Sequence, residues 1–295
     1  MIRILGTICA GLLGLAFGSF LNVCLSRWPD GESIVQPRSH CRNCDHTLAW
    51  WENIPLVSWL ALCGRCRNCR AWIGWRYLLV ELAVGGLWAT QIWECLPWVF
   101  SLETPAVFAA IHIESAVGQM IFCWLVVALA ALDAEHLWLP DWLTYPGVAF
   151  GLCNTLLNAY LRSHVYNNDT VGSGPLHEGL SALVGILAAA GLILLIRWVY
   201  WLVRRREGIG LGDAKLMALL AAWLGLPGAL LAFALGVVLG ALAAVVLLAL
   251  PAARRSEGGW AAQKLPLGTF LCVGGIVSSL WGQPMIAAYL RWAGF

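Results

Sequence analysis

Apolar residues run through this chain in blocks of about 20, the length a helix needs to cross the hydrocarbon of a bilayer. The blocks fall near 4–25, 77–98, 115–132, 142–161, 179–203, 214–226, 228–251 and 267–290. The sixth is short, so the pattern predicts about eight spans, with seven or nine as the neighbouring counts. The fold class that follows is all-α: a polytopic transmembrane helix bundle. The first block follows Arg3, as a signal peptide would, but it lacks an A-x-A-type cleavage site and carries Asn22 and Arg27 straight into the next segment. It reads as a retained helix. Between the first two blocks lies a polar loop, 26–76, and no internal repeat or low-complexity tract interrupts the rest.

Composition agrees with that pattern. Hydrophobic residues make up 60% of the 295 positions and charged ones 12%, roughly half the charged share of a soluble domain. The basic residues then sort the loops. Arg27, Arg38, Arg42, Arg65, Arg67, Arg70 and Arg76 lie in or beside 26–76, Arg204 to Arg206 follow the fifth span, and Arg254, Arg255 and Lys264 precede the eighth. Alternating topology puts all three regions on one side, which the positive-inside rule makes cytosolic, with both termini outside. Outer loops such as 162–178 are poor in Lys and Arg. The net charge is only +2, with the basic residues confined to loops, so no nucleic-acid surface is implied. Trp28, Trp50, Trp51, Trp72 and Trp75, among 18 tryptophans, suit interfacial anchoring near span ends.

The loop 26–76 carries the first candidate chemistry. Cys41-x2-Cys44 and Cys66-x2-Cys69 stand 21 residues apart, a spacing that lets two knuckles offer four thiolates tetrahedrally to Zn²⁺. A cytosolic loop keeps its thiols reduced, which favours a metal over disulfides. Four thiolates leave no open position, so the zinc is expected to be structural, folding a loop too small for its own core. Cys63-x2-Cys66 is also a knuckle and leaves the register open. Cys9, Cys24, Cys95, Cys123, Cys153 and Cys272 are scattered in or beside apolar spans, where a thiol serves as a small hydrophobe.

The second candidate chemistry is carboxylate. Ionisable groups at membrane depth are costly and therefore functional candidates. Asp133 ends the third span, and Asp213 lies in Gly208-Ile209-Gly210-Leu211-Gly212-Asp213 just after the fifth. Span three exits to the cytosol, four returns and five comes back, so both aspartates end at one membrane face. The glycines around Leu211 would let a non-helical segment seat Asp213 against another helix. Two carboxylates within hydrogen-bonding reach share one proton. The ionised member activates water while the protonated one polarises a scissile carbonyl. Taken singly, Asp133 reads equally as a helix-end residue facing water, and Asp213 as a polar helix start beside Lys215. Asp141, after Pro140, reads as a helix-start carboxylate, and Glu135 and His136 as interfacial.

Gly210-Leu211-Gly212-Asp213 resembles the second catalytic motif of intramembrane aspartic proteases. Gly18-Ser19-Phe20-Leu21-Asn22-Val23, Trp51-Glu52-Asn53-Ile54-Pro55-Leu56-Val57-Ser58, Arg76-Tyr77, Val80-Glu81-Leu82, Leu139-Pro140-Asp141 and the paired knuckles narrow the likeness. In the same order, from about residue 10 to 275, they are similar to the bacterial type IV prepilin peptidases. Leu78, Ala214, Leu267 and Thr269 depart from the residues common there; the last two lie in a stretch often read Pro-Phe-Gly-Pro.

The resemblance implies a first helix at 1–25, a cytosolic four-cysteine zinc loop at 26–76 and a transmembrane aspartic protease domain at 77–295, with Asp133 and Asp213 catalytic. It implies an inner-membrane enzyme, active site facing the cytosol, that cleaves the leader of prepilins or pseudopilins after a Gly. It further implies N-methylation of the new terminus with S-adenosylmethionine. Asn168-Asp169-Thr170 then reads as a chance sequon, since such an enzyme is bacterial. No Gly-rich strand-to-helix turn of the nucleotide-binding kind is present; Glu52, Asn53 and Glu81 are the candidates for amine or cofactor contacts, equally readable as loop-folding polar residues. A presenilin-like protease of other helices, a methyltransferase alone, and a transporter or assembly subunit with proton-carrying aspartates are the rival readings.

Overall fold

The computed structural model describes residues 1–100, 105–165, 174–205, 210–249 and 265–294. The sequon at 168–170, Arg206, Gly208, Ile209, Arg254, Arg255 and Lys264 lie outside the described residues. Two compact units divide the chain, Met1–Ala131 and Leu132–Phe295.

In the first unit, α1 (Ile2–Arg27) leads into the polar loop, which holds a 3-10 turn (Trp50–Asn53) and the one-turn helix α2 (Val57–Ala61). It is followed by α3 (Trp75–Val99) and α4 (Ala106–His136), whose last residues pass into the second unit. Lipid gives helices no hydrophobic reason to associate, so close backbone approach through small residues takes over. A Cβ on Gly14 would stand 2.9 Å from the Cα of Gly85, and one on Gly18 would stand 2.8 Å from the Cα of Glu81. These registers run in opposite directions, so α1 and α3 are antiparallel. The indole of Trp88 donates to the carbonyl of Met120 at 2.9 Å and ties α4 to α3.

The second unit contains α5 (Asp141–Val165), α6 (Pro175–Arg204), α7 (Leu211–Ala249) and α8 (Leu267–Ala293). Leu216, Met217, Leu219 and Leu220 are fully buried, so the first arm of α7 is the core of this unit. α7 breaks at Gly225, with φ 70° and ψ 171°, two residues before Pro227. The break is a reversal. Gly275 of α8 abuts Leu220, and Ser278 donates to the carbonyl of Gly228 at 2.9 Å. Beyond the break Gly236 meets Leu271 and Gly240 meets Phe270. α8 is thus parallel to the first arm and antiparallel to the second.

Among the described residues, five helices, α1, α4, α6, α7 and α8, are long and apolar enough to cross a membrane. The expected second and fourth spans correspond to the 25-residue helices α3 and α5, and the expected sixth and seventh to the two arms of α7. The all-α bundle with a small knuckle loop is the observed fold class. Among the described residues there are no strands, only two isolated bridges inside that loop.

Candidate functional site

Asp133 and Asp213 are both buried, at 6% and 8% exposure, and both seat their carboxylates at helix N-termini. Asp133 reaches the start of α8, where its Oδ2 accepts the Thr269 amide at 2.6 Å and the Thr269 hydroxyl at 3.1 Å. That amide has no partner inside its own helix, so a carboxylate from another element satisfies it and meets the positive end of the helix dipole. Gly268 makes room, since a Cβ there would lie 2.9 Å from the Asp133 Cγ.

Asp213 lies in the first turn of α7 rather than on an irregular segment. Its Oδ2 accepts the Gly210 amide, just ahead of the helix, at 3.2 Å. The adjacent glycine serves packing: a Cβ on Gly212 would press on Leu139 at 3.2 Å. Asp133 lies within electrostatic range of Asp213, and the fully buried Cys272 is within range of both. The chain therefore places the two predicted carboxylates in one unit, within electrostatic range. Asp141, first residue of α5, pairs with Lys215, so Lys215 neutralises Asp141 outside the pair. Glu135 and His136 are exposed and lie 3.8 Å apart.

The polar loop assembles the second candidate. The sulfurs of Cys41, Cys44, Cys66 and Cys69 all lie within 4.8 Å of one another. Cys41 and Cys69 are 3.8 Å apart, Cys44 and Cys66 4.0 Å. A tetrahedron with metal–sulfur bonds of about 2.3 Å has edges of about 3.8 Å, so the cluster fits a metal ion. Cys63 is exposed and outside this cluster.

The two knuckles are copies. Cys41-Arg42-Asn43-Cys44 recurs as Cys66-Arg67-Asn68-Cys69. The Cys41 amide donates to His46 and the Cys66 amide to Ala71, each at 2.9 Å. Asp45 and Arg70 both take positive φ, at 54° and 59°, to close the turns. Asn43 donates to the Cys69 sulfur at 3.5 Å and Asn68 to the Cys44 sulfur at 3.6 Å, each crossing to the other knuckle. The Ala71 amide and Asn43 pull the Cys69 thiol down to about 6, whereas desolvation and the neighbouring thiols push Cys41 up to about 11.

Between this loop and the adjoining ends of α1 and α3 lies a cavity of about 380 Å³, within the ~300–1,000 Å³ range of small-molecule sites. Glu52, Asn53 and Glu81 all line it, with Asn22, Trp59 and Tyr77. Glu52 Oε2 caps the Ala49 amide at 2.7 Å and lies 3.6 Å from His46, while Glu81 Oε2 accepts the Leu56 amide at 2.8 Å. Among the described residues, two acceptors of the cavity-lining side chains are buried without a hydrogen-bond partner, Asn22 Oδ1 and Glu52 Oε1. Buried acceptors of this kind are costly unless something donates to them.

Three features escaped the sequence reading. Thr269 stood there only as a departure from a familiar motif. Asn22 stood as part of a helix motif, and the knuckle repeat went unrecognised. The recurrent Cys-Arg-Asn-Cys was the available signal for the last.

Comparison with known proteins gives two matching family models. Residues 12–95 match the bacterial peptidase A24 N-terminal domain and residues 120–245 the type IV leader peptidase family. The prepilin leader peptidase/N-methyltransferase of Stutzerimonas stutzeri is 34% identical, over 97% of this chain and 94% of that protein. Its Pseudomonas aeruginosa counterpart is 32% identical, over 98% and 94%. The Myxococcus xanthus protein of the same name is 38% identical over 72% of this chain and 54% of that one. No solved structure matches.

Proposed function

Because the chain belongs to the type IV leader peptidase family, we propose that it is a membrane-embedded aspartic endopeptidase that removes the leader of prepilins or pseudopilins after a Gly and then N-methylates the new terminus. The observation that supports the proteolytic half is the burial of Asp133 and Asp213 at helix starts of one unit, within electrostatic range. Such a pair needs no covalent intermediate: one carboxylate draws a proton from water while the other donates to the carbonyl oxygen. The arginine-rich loop and the positive-inside rule support a dyad at the cytosolic face of the inner membrane. A substrate helix held in the bilayer presents its leader junction at that depth.

For the methylating half, the cavity wall offers acceptors to a cationic ligand: the unpartnered Asn22 and Glu52 oxygens, the Glu81 carboxylate, and the faces of Trp59 and Tyr77. Arg27, Arg42 and Arg67 also line the cavity, and carboxylates beside guanidiniums suit a ligand that joins cationic groups to a carboxylate, as S-adenosylmethionine does. S-adenosylmethionine supplies an electrophilic methyl group when bound, and Glu52, Asn53 and Glu81 are the residues that would hold and orient it and the amine. The four-cysteine cluster takes Zn²⁺ and keeps the loop that walls the cavity folded. Membrane lipid is the remaining partner.

Purified protein incubated with a prepilin in detergent tests the reading. Asp133→Ala and Asp213→Ala are each expected to lower cleavage by about 10²–10⁴-fold, with the zinc content unchanged. Cleavage that persists in either variant removes the dyad assignment.

A further inference from the structure

The dyad is not symmetric. One oxygen of Asp133 accepts two hydrogen bonds from a single residue, from the amide of Thr269 at 2.6 Å and from its hydroxyl at 3.1 Å. Asp213 has one such donor, the Gly210 amide, at the longer distance of 3.2 Å. The Thr269 amide belongs to the first turn of the 27-residue α8, where amides lack intrahelical acceptors and the helix dipole favours negative charge. Hydrogen bonds to an ionised acceptor are roughly twice as strong as neutral ones, so a proton shared by the pair settles on the carboxyl with fewer donors.

We infer that Thr269 is a positioning residue for the reaction: by donating twice to Asp133 it holds the negative charge there, which makes Asp133 the water-activating member and Asp213 the proton carrier. This rests on the proteolytic reading above. As the water oxygen bonds to the scissile carbonyl carbon, its proton passes to Asp133, and Asp213 gives its own proton to the carbonyl oxygen. The resulting diol collapses with cleavage of the C–N bond. Asp213 recovers a proton from one hydroxyl, and Asp133 delivers its proton to the leaving amine. Both groups end as they began, with Asp133 ionised.

Among the described residues, the other ionisable groups nearby leave this assignment intact. Cys272, on α8, is a buried thiol within electrostatic range of both aspartates. Lys215, on α7, is paired with Asp141 of α5. Glu135 and His136, on the helix of Asp133 itself, lie together and exposed.

A graded series at one position tests it through the pH dependence of cleavage of a synthetic prepilin. Thr269→Ser keeps both donors and is expected to keep the wild-type profile. Thr269→Val keeps only the amide. Thr269→Pro keeps neither, and proline is tolerated in a first helical turn. Because the base must be ionised, activity is lost as pH falls, and losing a donor moves that acid limb to higher pH. On the limb the rate falls about tenfold per donor removed, the size of one hydrogen bond to a charged group. Folded fraction, read by thermal melting in detergent, corrects for stability. Acid limbs of Thr269→Val and Thr269→Pro that coincide with wild type, or move to lower pH, overturn the inference while leaving the protease intact. Loss of the protease reading itself has a different signature, full cleavage by Asp133→Ala.

Discussion

A Cβ placed on Gly268 would stand 2.9 Å from the Cγ of Asp133. The missing side chain is therefore what lets the Asp133 carboxylate lie over the first turn of α8. Gly268→Ala must displace the carboxylate or the helix start. A misplacement of about 1 Å costs on the order of 10²-fold in rate, so kcat for leader cleavage is expected to fall by about that factor. Overpacking adds a stability loss of about 1–3 kcal/mol. Steady-state kinetics beside a melting curve checks both, and wild-type kcat in the alanine variant would show that the glycine is incidental.

The crossed Asn–Cys hydrogen bonds of the two knuckles make a prediction about the metal. One zinc per chain is expected, lost in Cys41→Ser or Cys66→Ser and kept in Cys63→Ser, since Cys63 lies outside the cluster. Asn43→Leu and Asn68→Leu should act alike, because each removes one cross-knuckle donor to a sulfur. Partners of this kind are worth about 10–100-fold in metal affinity. Competition with a chromophoric chelator measures it, and unequal effects of the two asparagines would contradict the two-fold arrangement.

Burial of Glu52 and Asn22 beside the same cavity separates the two halves of the reaction. Glu52→Gln removes the anionic acceptor and Asn22→Leu the neutral one, and each is expected to weaken S-adenosylmethionine binding by about tenfold or more. Binding is read directly with radiolabelled cofactor. Leader cleavage by the same variants is expected to stay at the wild-type rate, so mass spectrometry of the pilin terminus should find it cut but unmethylated. Undiminished cofactor binding in both variants would place the methylation site elsewhere.

Much of this was legible in the chain because lipid imposes so plain a constraint. Blocks of about 20 apolar residues map onto the long helices, and the break between 226 and 228 falls within two residues of the Gly225 reversal. Asp133 and Asp213 stand out in the sequence since carboxylates are rare at membrane depth, and both are buried in one unit. Their anchors were not legible. Thr269 meets Asp133 across most of the second unit, and a threonine opening a helix looks ordinary until its partner is known. The segment around Asp213 suggested irregular backbone because glycine permits it. Here Gly212 serves close packing against Leu139 instead, and the helix begins before the aspartate.

The reversal at Gly225 yields the last prediction. Its φ of 70° with ψ of 171° lies in a region open essentially to glycine alone, at a cost of about 1–3 kcal/mol for other residues. Only this turn lets the first arm of α7, which carries Asp213, and the second arm both pack on α8, through Leu220 and through Gly236. Gly225→Ala should therefore lower the melting temperature of the detergent-solubilised protein and reduce leader cleavage, while zinc content and cofactor binding, properties of the other unit, persist. Gly191→Ala is the matched control, because a Cβ there meets nothing within 4 Å and alanine costs a helix nothing. Equal melting temperatures for the two variants would mean that the turn tolerates a side chain and that the two arms are held by their packing alone.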